Sequence, residues 1–343
     1  MSAALERDKQ LTAQEAMFQI ILNFWMSRAV YIIAKLGIPD LLKDGPKTTN
    51  ELAAATTTHA PSLYRVLRAL ASVGVLKTKD EGKFEVTPMS ELLVTNAPGS
   101  LRWFMISELG QEHFPAWGNL MHSVKTGEIA FDNFFNMNIW EYFAKNPQDG
   151  ALFNDSMSGL TAATNDAITS VYDFSGFGKV VDVGGGHGGL VTGILKKNPN
   201  LKAVVFDAPE VISGTQEKIA AAGLSDRCET LSGDFFQSVP SGGDAYLLKW
   251  IIHDWDDEKS IRILKNCRQH MSADSRLIVV DTVVPETDEP HFSKFFDLNM
   301  LVMTGGKERT ETEFRQLFQS AGFKLLRVIP TDLPTSIVEA QPM

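Results

Sequence analysis

Residues 180–190 read Val-Val-Asp-Val-Gly-Gly-Gly-His-Gly-Gly-Leu, a β-branched run that breaks into glycines and resumes as the apolar helix pattern 190–195. This predicts a strand, a tight turn and a helix whose first backbone N–H groups are left free for a nucleotide-like ligand. Gly184, Gly186 and Gly189 satisfy the dinucleotide fingerprint, while Asp182, Gly184, Gly186 and Gly188 satisfy the acidic-then-glycine pattern of S-adenosylmethionine (SAM) sites. Asp182 favours SAM. Dinucleotide turns usually hold an apolar residue there, whereas a carboxylate can face the cationic amino-acid end of SAM.

Five further residues fall where such a ligand or its reaction would need them. Asp207 closes the next strand, at the distance where an acid takes ribose hydroxyls. Asp234, ahead of Phe235 and Phe236, can accept from an adenine amino group with an aromatic beside the ring, or it can merely cap a turn. His253, in the run from Lys249 to Trp255, carries the side chain best matched to take a proton at neutral pH. Asp281 and Glu308 can each hold the imidazole's other N–H, fixing its tautomer and stabilising the cation formed on proton transfer.

The elements that must position these residues alternate regularly. Strands are expected at 201–207, 228–232, 245–249 and 277–281, with helices over 209–222 and about 256–271, giving a doubly wound, mostly parallel sheet with ligands at the strands' carboxyl ends. Segments 324–329 and 336–340 are joined by a loop too short for a helical crossover, so the last strand should run antiparallel. Upstream, a Thr48–Glu51 capping box, a helix opening at Pro61 with Leu63, Val66, Leu67 and Leu70 on one face, and a hairpin over 75–86 outline a winged helix. Its open face offers only Arg65 and Arg68 as cations, which favours structural use over DNA binding. The helix over 16–26 is apolar nearly all round, so a second subunit is expected to bury part of it. Residues 100–166 are helical in composition and dense in aromatics, a packed connector that can also roof a small-molecule pocket.

Composition sets the outer limits. The chain of 343 residues is 44% hydrophobic and 22% charged, with a formal net charge of −10 that argues against nucleic-acid binding. Cys228 and Cys267 form neither a metal-ligand spacing nor a disulfide framework, Glu6 to Lys9 mix their signs unlike a signal peptide, and no apolar run is read as a membrane span. A cytoplasmic protein without metal or membrane attachment is expected.

The residues in Ala116-Trp117-Gly118, Trp140-Glu141-Tyr142, Phe153-Asn154 with Met157, 180–189, Gly233-Asp234, Leu248-Lys249, His253-Asp254-Trp255 and 305–310 give the chain its resemblance to SAM-dependent small-molecule O-methyltransferases of the caffeic acid and hydroxyindole type. It resembles bacterial and animal members more than plant ones. The resemblance implies a class I methyltransferase sheet behind an N-terminal winged-helix dimerisation domain, over 167–343 and 1–99 respectively, with the connector between them. It implies SAM contacts at Gly184, Asp207, Asp234, Phe235 and Lys249, His253 as base flanked by Asp281 and Glu308, and an acceptor pocket shaped by Phe153, Met157, Trp250 and Met300. It further implies a homodimer, a hydroxylated aromatic acceptor and S-adenosylhomocysteine as product. Plant members usually carry Glu at the position of Asp281, so the shorter side chain here shifts weight onto Glu308. The alternatives are SAM-binding relatives with hydroxylating or decarboxylating chemistry, a ligand-sensing DNA-binding regulator, and an NAD oxidoreductase disfavoured by Asp182 and the antiparallel finish.

Overall fold

The computed structural model describes residues 11–343, apart from the side chains of residues 154, 155 and 158–163. The stretch Glu6 to Lys9 and the motif residue Asn154 therefore lie outside the described residues. The chain forms two compact units: one holds the chain up to Phe114 with Pro147–Gly159, the other Pro115–Asn146 with Leu160–Met343. Residues 100–166 divide between them.

In the first unit, strands β1 (Lys47–Thr48), β2 (Leu76–Thr78) and β3 (Lys83–Val86) form an antiparallel sheet in the order β1-β3-β2. The capping box is present: Glu51 N–H donates to Thr48 Oγ1, and the Glu51 carboxylate accepts from the Thr48 N–H at 2.7 Å. These bonds satisfy donors that a helix start leaves unpaired. Helix Ala60–Ser72 turns Leu63, Leu67 and Leu70 into a core with Ile33, Leu52 and Phe84, leaving Ser62, Tyr64, Arg65 and Arg68 outside.

Helix Ala13–Lys35 departs from two expectations. It extends well beyond 16–26, and at 23 residues it is long and apolar enough to cross a bilayer, contrary to the sequence reading that no run approached a span. Its first part is left exposed, with Met17 65%, Ile20 62% and Trp25 61% exposed, while Tyr31, Ile33 and Ala34 near its end are buried.

The second unit is built on a seven-stranded sheet, β6-β5-β4-β7-β8-β10-β9, comprising β4 (Lys179–Val183), β5 (Lys202–Asp207), β6 (Cys228–Ser232), β7 (Ala245–Lys249), β8 (Arg276–Thr282), β9 (Phe323–Pro330) and β10 (Thr335–Pro342). Strands β4 to β8 pair in parallel, and β10 runs antiparallel to both neighbours, as the short loop requires. The chain winds outward through β4, β5 and β6, then returns to place β7 on the other side of β4. Ligands of such sheets bind outside the strand ends at that switch point. The central strands are apolar on both faces, with Val180, Val181, Leu247, Leu248 and Val279 fully buried. Both cysteines are free and buried.

Because Leu247 packs in the centre of this sheet with no exposed surface, Leu247→Ala is expected to cost about 2–5 kcal/mol of stability. The check is the urea midpoint, with an unchanged midpoint contradicting the central placement.

Candidate active site

At the end of β4 the glycines do what side chains would prevent. Gly184, Gly186 and Gly188 all have positive φ, a region that favours residues without a Cβ. A Cβ on Gly184 would also lie 2.3 Å from Ile251 Cδ1, so the turn after β4 and the loop after β7 touch only because Gly184 is bare. A Cβ on Gly186 would meet nothing within 4 Å, which opens the turn at that point. The Gly186 N–H donates to Asp207 Oδ2 at 2.7 Å, and the Ala208 N–H donates to Oδ1 at 2.7 Å. Burial raises the Asp207 carboxyl above its usual range against the pull of those two amides.

Asp182 lies under the turn, only 2% exposed, and a Cβ on Gly185 would lie 2.7 Å from its carboxyl. Burial pushes it up to about 7, opposed by Lys249. The Lys249 ammonium is pushed down to about 8 by burial, opposed by Asp182, and its Nζ sits 4.3 Å from the Trp250 ring centroid. The two strand ends thus bury a mutually compensating acid and base. Asp234 is exposed and its Oδ1 accepts the Phe236 N–H at 2.8 Å, so it does cap its turn. Phe235 stands beside the glycine turn, 3.8 Å from where a Gly184 Cβ would be, and packs on Phe236 and Trp255.

His253 sits in the single 3-10 turn Ile252–Asp254 that follows β7, after Trp250 bends the chain through φ +55. Its Nδ1 meets Glu308 Oε1 at 2.7 Å, and its Nε2 lies 3.7 Å from Asp254 Oδ1. Burial alone would lower the imidazole's proton affinity, but Glu308, Asp254 and Asp281 together overcome it and hold the group up at about 10. Asp254 is itself pushed up to about 6 by burial, with His253 opposing. Asp281, on β8, is fully buried, neither of its oxygens has a hydrogen-bond partner among the described residues, and burial pushes it up to about 8. Asp281 raises the imidazole only to the extent that it is ionised, and Glu308 makes the hydrogen bond.

The sequence missed three neighbours. Asp254 adjoins the imidazole. Phe296 packs its ring 5.8 Å from that of His253 and stacks on Phe292 at 5.1 Å. Asp297 Oδ1 accepts the Glu308 N–H at 2.9 Å. Phe296 and Asp297 lie on helix Phe292–Met303, where the family resemblance points only to Met300, which is 6% exposed. Trp250 is half-buried at the site, while Phe153 and Met157, also half-buried, belong to the first unit.

This arrangement can hold a nucleoside at three neighbouring strand ends and exchange a proton at His253 Nε2, the ring atom that Glu308 does not occupy. Among the described residues no group of His, Cys, Asp and Glu is arranged to hold a metal ion.

Comparison with known proteins agrees with this geometry. Residues 18–96 match the O-methyltransferase dimerisation domain and residues 117–324 the O-methyltransferase domain. The chain is 44% identical over 327 residues to a phenazine O-methyltransferase, PhzM, of Lysobacter antibioticus, covering 95% of this chain and 96% of that one. The solved structure of LaPhzM, 44% identical, superposes with a TM-score of 0.91 over 97% of this chain and 100% of its own. The neocarzinostatin-biosynthesis O-methyltransferase NcsB1, solved with SAM and 2-hydroxy-5-methyl naphthoic acid, is 30% identical with a TM-score of 0.82 over 92% of this chain and 96% of that one. These matches lend nothing to the oxidoreductase, the DNA-binding regulator or the non-methylating chemistry. With both family models matched in order and relatives of this identity along nearly the whole chain, the protein belongs to the SAM-dependent O-methyltransferases that carry an N-terminal dimerisation domain.

Proposed function

We propose that the protein methylates a hydroxyl of a small, planar aromatic acceptor, with His253 as the general base and Glu308 as the carboxylate that orients and charges it. The 2.7 Å contact between His253 Nδ1 and Glu308 Oε1 carries this reading, because it leaves Nε2 as the atom that exchanges a proton. The phenazine and naphthoic acid named for two relatives support the acceptor class. The stacked Phe292 and Phe296 beside the imidazole offer a planar ring a surface to lie on.

SAM, when bound, supplies an electrophilic methyl group on a sulfonium. Its proposed contacts are Gly184 and Gly186 through their open turn, Asp207 toward the ribose, Asp234 and Phe235 toward the adenine, and Asp182 with Lys249 toward the amino-acid end. The open space at Gly186 and the desolvated Asp207 carboxylate fit such a ligand. Trp250 and Met300 are proposed to shape the acceptor side, and Phe153 and Met157 stay assigned to the acceptor on the family resemblance alone. Residues 1–99 are assigned to dimerisation, 100–166 to the connector and 167–343 to SAM binding and catalysis. Two free buried thiols and the acidic charge support a cytoplasmic location.

His253's part is to take the acceptor's proton as the oxygen becomes a nucleophile. A phenolic hydroxyl, of reference pKa ~10, matches an imidazole held up at about 10, so the transfer runs close to level. Alignment of the two reactants supplies most of the rate.

The direct test is incubation with SAM and a panel of hydroxylated phenazines and naphthoates, followed by mass spectrometry. Gain of one methyl with S-adenosylhomocysteine release is expected; absence of both across the panel overturns the acceptor class. His253→Ala is expected to lower turnover by roughly 10²-fold or more while sparing SAM affinity in calorimetry, and undiminished turnover removes His253 from the mechanism.

The carboxylates raise the imidazole, so it stays protonated through neutral pH and its basic form grows as pH rises toward about 10. kcat/KM should climb over that window. In Glu308→Gln the climb should shift down toward the ordinary 6.5, with a plateau lower by roughly tenfold. An unmoved pH profile means that Glu308 does not set the base.

The exposed apolar face of helix Ala13–Lys35, within a matched dimerisation domain, supports a homodimer. Sedimentation at micromolar concentration should show two chains, and Ile20→Asp with Trp25→Asp should give one. A wild-type monomer contradicts the assembly.

A further inference from the structure

We propose that Arg309 is a positioning residue for the His253–Glu308 pair, one buried guanidinium that locks the two chain segments carrying base and carboxylate into a single unit. The proposal rests on His253 being the base. Glu308 and His253 are 55 residues apart, on a loop after helix Phe292–Met303 and on the turn after β7; neither lies in a strand, and the backbone of the Glu308 segment is tied to the sheet by an isolated bridge between Arg309 and Val283.

Arg309 is 1% exposed. Its Nη1 donates to the Ile252 carbonyl at 3.1 Å and to the Lys307 carbonyl at 3.2 Å, the residues immediately before His253 and immediately before Glu308. Its Nη2 donates to the Trp255 carbonyl at 3.0 Å, on the far side of the base, and to Ser260 Oγ at 3.3 Å. Asp257 Oδ1 anchors the other edge, accepting from Nε at 3.0 Å and Nη2 at 2.7 Å. One planar fork therefore spans both flanks of the histidine turn and the approach to the glutamate.

The backbones meet directly as well. The Lys307 N–H donates to the His253 carbonyl at 2.8 Å, and a Cβ on Gly306 would lie 2.0 Å from that same oxygen. Only glycine allows this approach, which explains the bare residue two positions before Glu308. Lysine cannot reproduce the clamp, because its three donors radiate from one atom whereas guanidinium presents five in a rigid fork. Arg309 touches no reacting atom; it acts through the geometry of the pair, and its charge, which lowers Asp281, is one that lysine also carries. The groups facing the imidazole are Glu308, Asp254, Asp281 and the Phe296 ring.

The test reads geometry without depending on turnover. In ¹³C-histidine-labelled protein, with His253 assigned by comparison with His253→Ala, the imidazole should titrate well above the ordinary 6.5. In Arg309→Lys the midpoint should fall by about one pH unit or more, while calorimetry gives S-adenosylhomocysteine affinity within about twofold of wild type. A folded Arg309→Lys with the wild-type midpoint overturns the proposal. Loss of S-adenosylhomocysteine binding alongside the shift also overturns it, since Arg309 would then hold the whole site, and a wild-type midpoint at 6.5 leaves no pair to position. Should Arg309→Lys fail to fold, Asp257→Ala decides. Asp257 is largely exposed and is not among the charges that raise the imidazole, so a lowered midpoint reports a loosened clamp and an unmoved one overturns it. Failure of the methyltransferase reading would appear separately, as a wild-type protein that binds no S-adenosylhomocysteine.

Discussion

The contact between His253 Nδ1 and Glu308 Oε1 is made where water does not reach: the glutamate side chain is fully buried and the histidine nearly so. A buried charge without a partner is costly, and removing one member of such a pair typically costs several kcal/mol. Each group is therefore tolerable only because the other is there. The surroundings follow from that requirement. The Glu308 amide is taken by Asp297, the His253 carbonyl by Lys307 N–H, and the carbonyls before both residues by Arg309. A charged pair inside a protein needs its backbone fixed on both sides.

The sheet supplies the address. Because the chain reverses its winding at β4, the turn after β4 and the loop after β7 lie side by side, and Gly184 touches Ile251 there. Asp182, Asp207 and Lys249 come together at the carboxyl ends of their strands through this topological choice. The same crowding explains Lys249 and Asp182. Each is depleted of water by its neighbours, and each moderates the other's shift.

Much of this was legible because local rules acted alone. Strand-helix alternation gave the parallel sheet, the short Pro-containing loop gave the reversed β10, and the Thr48–Glu51 spacing gave its capping box. His253 is legible after a strand end and Glu308 after a glycine pair, but the partner of the imidazole is open between Asp281 and Glu308, since reach depends on backbone positions that no spacing fixes. The structure resolves it in favour of Glu308. Arg309 was invisible as a functional residue because a guanidinium that bonds backbone carbonyls leaves no pattern in neighbouring side chains. Helix Ala13–Lys35 was misread in length, since an all-round apolar helix has no polar stripe to mark where its pattern ends.

The cluster around His253 also bears on why the site holds three carboxylates. With His253 as the proposed base, transfer of a methyl group to a neutral hydroxyl would replace one positive charge, on sulfur, by another, on the imidazole. The number of cations within the site is the same before and after, so fixed carboxylates serve both ends of the reaction without rearranging, which is the sense in which a preorganised site is effective. Their total must still be limited, because every additional anion holds the proton more firmly on His253 and delays its return to the basic form. Asp281 meets that limit. Burial pushes it up to about 8 and Asp254 up to about 6, so both hold a negative charge less readily than a free carboxylate. Glu308, bonded to Nδ1, holds the ring in place, while neither oxygen of Asp281 has a hydrogen-bond partner among the described residues.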